Sequence, residues 1–581
     1  MKILNIKSLA IAFLLLVGMT SCESFLNRPV EDSYTIDGFY QTDEQCFQAV
    51  NPIYNSPWYD FQRGFIKIGD ALSGNLYYGT TDPYQTFVLN ASDTPLRDAS
   101  ASLWSVNAYC NSLIQNIDMK AGPNVSLAGK NTVKGEALTW KAMAYFYLVR
   151  CYGAVPIIHN NSEIISANNA NTLYRNNIGD VYTYIVKTLE KAIELLPEHN
   201  QPGRIDRYSA YGLLAKVYLT KSGYGSTDGT RNAEDLAKAA EYAKKVIDES
   251  GRVLTPVYSD IFRLQNNFSD ESLIAWHWTV GTHWTSQNTE QSDLALNGFS
   301  EFADTWGTYT SPTIDLQNLF GEDATNKTAA TRNNADDRRK ATMMMMGDHY
   351  DYFWVDKGGF TYDWDGAKKT WPDGTSTQIT YGASTGANCV KHLVGNNNDH
   401  ILGAGVGMAR MQTSLSTHIL RLADVYLVYA EAILGNAAST SDARALSAFY
   451  AVRDRSVKNG THKPAITFND IFNERRLELA CEGDFWYDFV RLSYYNKEDA
   501  ENRLAAQQRG YWASIDAYYK GTLTNQADFK IETVNIAIAN IDKYYKTELK
   551  SFVIPFPDTD LAMNPHLNEA PVPFDFSSIG Y

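Results

Sequence analysis

A chain of 581 residues that is 44% hydrophobic and 20% charged can bury a large core, as one very large domain or two to three fused units, and is not a disordered polymer. Its formal net charge of −15, with no basic stripe interleaved with aromatics, excludes nucleic acid as a partner, because neutralising phosphates needs clustered Lys and Arg. Aromatics make up 13%, with 37 Tyr and 12 Trp, and flat rings of this kind either pack between helices or serve as stacking faces for ligands.

The first residues read as a targeting segment. Lys2 and Lys7 give a positive start, and Leu9 to Val17 form an apolar run too short to span a bilayer. Met19-Thr20-Ser21-Cys22 then resembles the lipobox of bacterial lipoproteins, with Met19 where Leu is usual. This predicts a leader over 1–21 and a chain over 22–581 that begins with Cys22, lipidated on its thiol and amine and held at the membrane by that anchor. Later in the chain no run of about 20 apolar residues occurs. Cys46, Cys110, Cys151, Cys389 and Cys481 are far apart, and none has zinc-like spacing to another Cys or a His, so most read as small core residues.

Three stretches have the apolar period of helix pairs. The first is Glu136 to Tyr152, a Gly153-Ala154-Val155-Pro156 exit, and a helix near Asp180 to Leu196. The second is Tyr208 to Lys221 with Ala233 to Glu249, whose small Ala residues permit close approach; this pairing resembles a tetratricopeptide repeat. The third is Arg421 to Leu434, stopped by Gly435, with Asp442 to Arg455. The predicted fold is mainly α: a tetratricopeptide-like scaffold of helical pairs over about 130–250 and 416–492, with a large loop-rich insert over about 255–415. The insert is rich in Gly, Asn, Asp, Thr and Trp, and Leu273 to Trp278 and Cys389 to Leu393 are expected short strands in it. A second irregular stretch runs from Gly64 to Ser102.

The motif order resembles the SusD/RagB family. Cys22-Glu23-Ser24-Phe25-Leu26 and Pro29 are similar to the family's mature start. Tyr145 to Arg150 with Tyr152-Gly153 and Val155-Pro156 resembles its first long helix and exit. Arg421 to Tyr426 with Tyr429-Ala430-Glu431-Ala432 resembles a late helix, with Asp424 where Glu is frequent. Asn473 to Leu479, Glu482-Gly483 and Trp486 to Arg491 resemble its penultimate signature, and Ile554-Pro555, Asn564-Pro565 and Leu567 its closing segment. The order holds from residue 22 to about 570, which makes 22–581 a single SusD-like domain. The resemblance implies a cell-surface lipoprotein of the outer membrane. Such a protein captures an oligosaccharide or polysaccharide and passes it to a SusC-like TonB-dependent transporter. Some relatives handle peptides.

Neither a Gly-x-Ser-x-Gly elbow, nor a His-Glu-x-x-His, nor a phosphate-cradling loop is present, so no catalytic residue, metal site or cofactor is expected. Glu474-Arg475-Arg476-Leu477-Glu478 reads as structural ion pairing. A sugar site needs ring faces beside amides and charged groups. Two clusters qualify: Asn75, Tyr77, Tyr78, Asp82 and Tyr84, and Trp278, His283, Trp284 and Gln287 with Trp306 further on. Trp104 reads as core. The alternatives are a surface scaffold for peptides or proteins, and a glycosidase with an unrecognised acid pair.

Overall fold

The structure is a computed structural model that describes residues 36–581 except 168–170, 297, 300–309, 333, 365–368, 371–373, 375, 378–383 and 533–551. The leader, Cys22 and Trp306 lie outside the described residues.

The chain is mainly α. Short helices α1 (Asp43–Val50) and α2 (Phe61–Ile66) precede long α3 (Thr94–Lys120) and α4 (Leu127–Tyr152). The stack continues with α5 (Ile178–Leu195), α6 (Arg207–Lys221) and α7 (Ala233–Glu249), and resumes after the insert with α8 (Leu422–Leu434) and α9 (Ala443–Ser456). Helices α10 (Phe468–Leu479) and α11 (Phe485–Ser493) follow. Local chemistry sets the starts: Asp93, Ser126 and Asn232 accept first-turn amides of α3, α4 and α7, and Asp206 and Thr467 form capping boxes on α6 and α10. Gly153 ends α4 at φ +71°, which a glycine adopts without strain.

Each helix from α3 to α9 packs on the next. Helix α7 lies directly against α8, so pairs far apart in sequence form one continuous array. Helix α4 is enclosed nearly all round from Glu136 to Tyr152, and therefore lacks an amphipathic stripe. The stretch read as irregular from Gly64 to Ser102 departs from that expectation at both ends. Lys67–Ala71 is a π-helical turn continuing α2, and α3 begins at Thr94 because Asp93 caps it and Pro95 suits its first turn. Trp104 is half-buried on α3, edge-on to Tyr145 at 6.2 Å.

The strands are β1 (Leu76–Tyr77), β2 (Ser272–Trp276), β3 (Ser311–Pro312), β4 (Met343–Met345), β5 (Ala387–Cys389) and β6 (Thr417–Arg421), with several other two-residue strands. Strands β2 and β6 pair antiparallel and draw the two ends of the insert together beneath the helices. Strands β4 and β5 pair inside the insert, which has its own apolar cluster around Phe299, Tyr350, Phe353 and Trp354. At the junction, Trp58 stacks on Trp276 at 5.2 Å and tilts against Trp140 at 5.3 Å. The five cysteines Cys46, Cys110, Cys151, Cys389 and Cys481 are free and buried.

The signature on α10 is a buried ionic lattice. Arg338 holds Glu474 at 2.6 Å and Glu478 at 3.3 Å. Arg421 joins Glu271, Glu478 and Glu482, and Arg455 also reaches Glu478. Burial alone would raise the Glu478 carboxyl; the guanidinium groups of Arg455, Arg421 and Arg338 outweigh it and hold the group well below the usual range. Arg475 binds Asp424 at 2.6 Å and Asp488 at 2.9 Å, tying α10 to α8 and α11. These charges join the insert to the helices.

Candidate functional site

A cleft of about 210 Å³ opens where α2, the start of α3 and the insert meet. Its walls include Tyr59, Arg63, Tyr78, Asp98, Asp293 and Met411. Trp284, on the turn Trp284–Ser286, is 55% exposed, with its ring edge-on to the wall residue Tyr59 at 6.4 Å. His283 lies exposed beside it. Arg63 grips Asp293 with two hydrogen bonds, Nε to Oδ2 at 3.2 Å and Nη2 to Oδ1 at 3.0 Å.

The walls are held from beneath. Buried Gln62 donates to the Gln287 carbonyl at 3.2 Å and accepts from the Thr289 amide at 3.0 Å, fastening α2 to the insert. Burial raises the Tyr59 hydroxyl. Lys67 pairs with Asp82 at 2.7 Å and sits 4.9 Å from the ring of Tyr78, which lines the cleft. Met411 has φ +57°, a costly conformation for an unbranched side chain that is held where it lines the site. Burial, and then the charge of Asp98, raise the Asp60 carboxyl.

Of the residues singled out in the sequence, Tyr78 lines the cleft, and Trp284 touches its wall residue Tyr59, with His283 exposed next to Trp284. Asp82 is half-buried and serves Lys67 and the Tyr84 amide. The others among the described residues are turned inward, where no ring or amide face is open to a ligand. Asn75 donates to Asp70 and accepts from Arg476 at 2.9 Å. Tyr77 is enclosed on β1, 6.4 Å from Tyr511, and the Tyr84 hydroxyl donates to Asp93 at 2.6 Å. Trp278 is buried with its indole N–H on Thr417 at 3.0 Å, and Gln287 is fully buried under Tyr59. His277 hydrogen-bonds Ser416 and the Gly203 carbonyl. Tyr59, Arg63, Asp98 and Asp293 were not singled out; the aromatic run Trp58-Tyr59 ahead of the irregular stretch is the one signal that points there. Among the described residues, no group of three or more His, Cys, Asp or Glu is arranged to hold a metal ion, and no helix is long and apolar enough to cross a membrane.

Residues 271–573 match the family described as the SusD family, and residues 105–219 match one described as starch-binding, associating with outer membrane. A SusD-like protein of Bacteroides ovatus is 34% identical over 98% of each chain. A SusD-like protein of Formosa agariphila is 25% identical over 65% of this chain and 68% of its own. A solved structure with xylogluco-oligosaccharide is 31% identical, covers 91% of this chain and 99% of its own, and superposes with a TM-score of 0.74. A laminarin-binding SusD-like protein shares the fold at 20% identity and a TM-score of 0.61, over 90% of this chain and 98% of its own. Matched along nearly its whole length in sequence and in fold, this chain belongs to the SusD family.

Proposed function

We propose that the protein is a surface glycan-binding lipoprotein that captures an oligosaccharide in the Trp284 cleft and delivers it to a SusC-like TonB-dependent transporter. The exposed indole of Trp284, edge-on to Tyr59 beside the Arg63–Asp293 pair, carries the reading. Sugar rings offer apolar C–H faces bordered by hydroxyls, and an indole platform next to forked guanidinium donors and carboxylate acceptors matches both. The relative solved with xylogluco-oligosaccharide supports a β-linked glucan as the first ligand to try. The Cys22 motif supports a lipid anchor at the outer membrane. Trp306 and His283 are the proposed further ring contacts. Single-domain organisation over 22–581 accords with α7 packing directly on α8.

Calorimetry against xylogluco-oligosaccharides and laminarin tests the binding; no affinity for any glycan of a broad array would sink it. Recovery of a large β-barrel transporter with the protein from mild detergent tests delivery, and acyl labelling lost in Cys22→Ala tests the anchor. Asp60 and Asp98 in the same cleft favour a second reading, a glycosidase in which the raised Asp60 is the acid. Steady release of reducing ends, abolished by Asp60→Asn, would establish that reading over binding alone.

A further inference from the structure

A separate cavity of about 310 Å³ lies between α3, α4, α5 and the last residues of the chain. Asp98 lines the first cleft and Asn111 to Met119 line this one. At 1.5 Å per residue along α3, the two are roughly 20–30 Å apart. Ile114, Leu138, Leu195 and Ile579 give it an apolar wall.

Its polar floor is unusual. Lys141 lines the cavity yet is 1% exposed. The other two buried lysines among the described residues hold carboxylates: Lys216 pairs with Asp424 and Asp484, and Lys391 with Glu482. Among the described residues, Lys141 meets the His159 carbonyl at 3.3 Å, His159 Nδ1 at 3.5 Å and the Tyr184 ring at 5.4 Å, none of them an acid. A buried ammonium without a counter-charge is costly, and a bound anion would relieve that cost. Burial lowers the Lys141 ammonium to about 7, and burial with the Lys141 charge lowers His159 to about 4, so His159 is neutral near pH 7 and, like any imidazole, brings no negative charge to Lys141. The rim lysines Lys134 and Lys191 are already paired with Asp118 and Glu194. Asn111 supplies a second unmet group. Its amide donates to the Ile158 carbonyl and to Asn161, while its buried Oδ1 has no donor.

We propose that this cavity is a second ligand site that takes a small hydroxylated carboxylate, the acid group seated on Lys141, a hydroxyl donated to Asn111 and the carbon skeleton against the apolar wall. A sugar acid and a phenolic acid share that chemistry. The order of the pieces is set by the site: one cation, one lone acceptor, one greasy face.

The test is calorimetry at pH 6 on the whole protein with D-glucuronate and 4-hydroxyphenylacetate, each against its uncharged analogue, D-glucose and 4-hydroxyphenylacetamide. At least one acid is expected to bind ten-fold or more tighter than its analogue, and which acid does so identifies the source. Lys141→Met should weaken that acid at least ten-fold while raising the melting temperature, because it removes an uncompensated buried charge. Leu195→Trp, on the half-buried wall, should block the cavity with Lys141 intact. Glycan affinity at Trp284 should be unchanged in both. Binding by neither acid, equal binding of acid and analogue, or full acid affinity in both variants would overturn the site.

Discussion

The rings of Tyr59 and Trp284 meet edge to face, centroids 6.4 Å apart at 62°, one from the segment before α2 and the other from the insert. The pair bridges two segments separated by more than two hundred residues, so the proposed binding surface exists only when the insert is docked. Truncating Trp284, 55% exposed, should leave stability within about 1 kcal/mol. A desolvated ring face in a binding site is worth far more: Trp284→Ala should weaken oligosaccharide at least ten-fold, about 1.4 kcal/mol. Calorimetry and a melting curve on the same sample separate the two effects; a large melting shift with retained affinity would place Trp284 in the scaffold.

The lattice around Glu478 makes the opposite prediction. Glu478 answers Arg338, Arg421 and Arg455, all buried. Glu478→Gln leaves guanidinium charges short of a counter-ion and should cost about 3–5 kcal/mol in urea unfolding. Glycan affinity per folded molecule should not change, since none of the lattice residues lines the cleft. A loss of affinity at full folding would show that it takes part in binding.

Acid sensitivity should have a traceable component at His277. Burial lowers the imidazole from 6.5 to about 4. Between those values the unfolded chain binds a proton that the folded chain does not, so stability rises with pH across that window and is lost as pH falls through it. His277→Gln, which keeps hydrogen-bonding groups near Ser416 and Gly203, should flatten the stability curve between about pH 4 and 6.5, while the wild type changes there by order of 1–3 kcal/mol. Chemical denaturation at stepped pH measures it, and equal slopes in the two proteins would refute the assignment.

Gly69 and Gly483 approach so closely that a Cβ on Gly69 would lie 2.1 Å from the Gly483 carbonyl oxygen. Neighbouring Asp70 accepts the amides of Cys481 and Gly483 and so locks the same contact. Gly69→Ala should cost about 1–3 kcal/mol, because backbone rather than a flexible side chain must move. An unchanged unfolding midpoint would show that the contact yields.

The helix pairs were legible along the chain because their information is local. The 3.6-residue period, Gly153 and Gly435 as stops, and side-chain caps such as Asp206 act within a few residues. The same locality let α10 be read as a charged structural helix. Nearly all-round burial of α4 blurs its stripe, but its aromatic density and exit turn still mark it.

Which aromatics serve a ligand was not legible by the same means. Tyr78 and Tyr84 are six residues apart in one polar, ring-rich loop, yet one lines the cleft and the other is sealed inside on Asp93. Trp278 and Trp284 differ likewise. Composition is identical for a ring that faces water and one that faces a neighbouring helix; burial depends on contacts from distant segments, such as β6 covering Trp278 through Thr417. The sequence alone determined the helices, their ends and the family pattern, because those rest on near-neighbour geometry and motif order. Tertiary structure alone decided that α7 meets α8, that Tyr59 and Arg63 join Trp284 and Asp293, and that Lys141 is buried with no acid paired to it among the described residues. Each of those depends on free energies of desolvation and packing that exist only once remote parts of the chain touch.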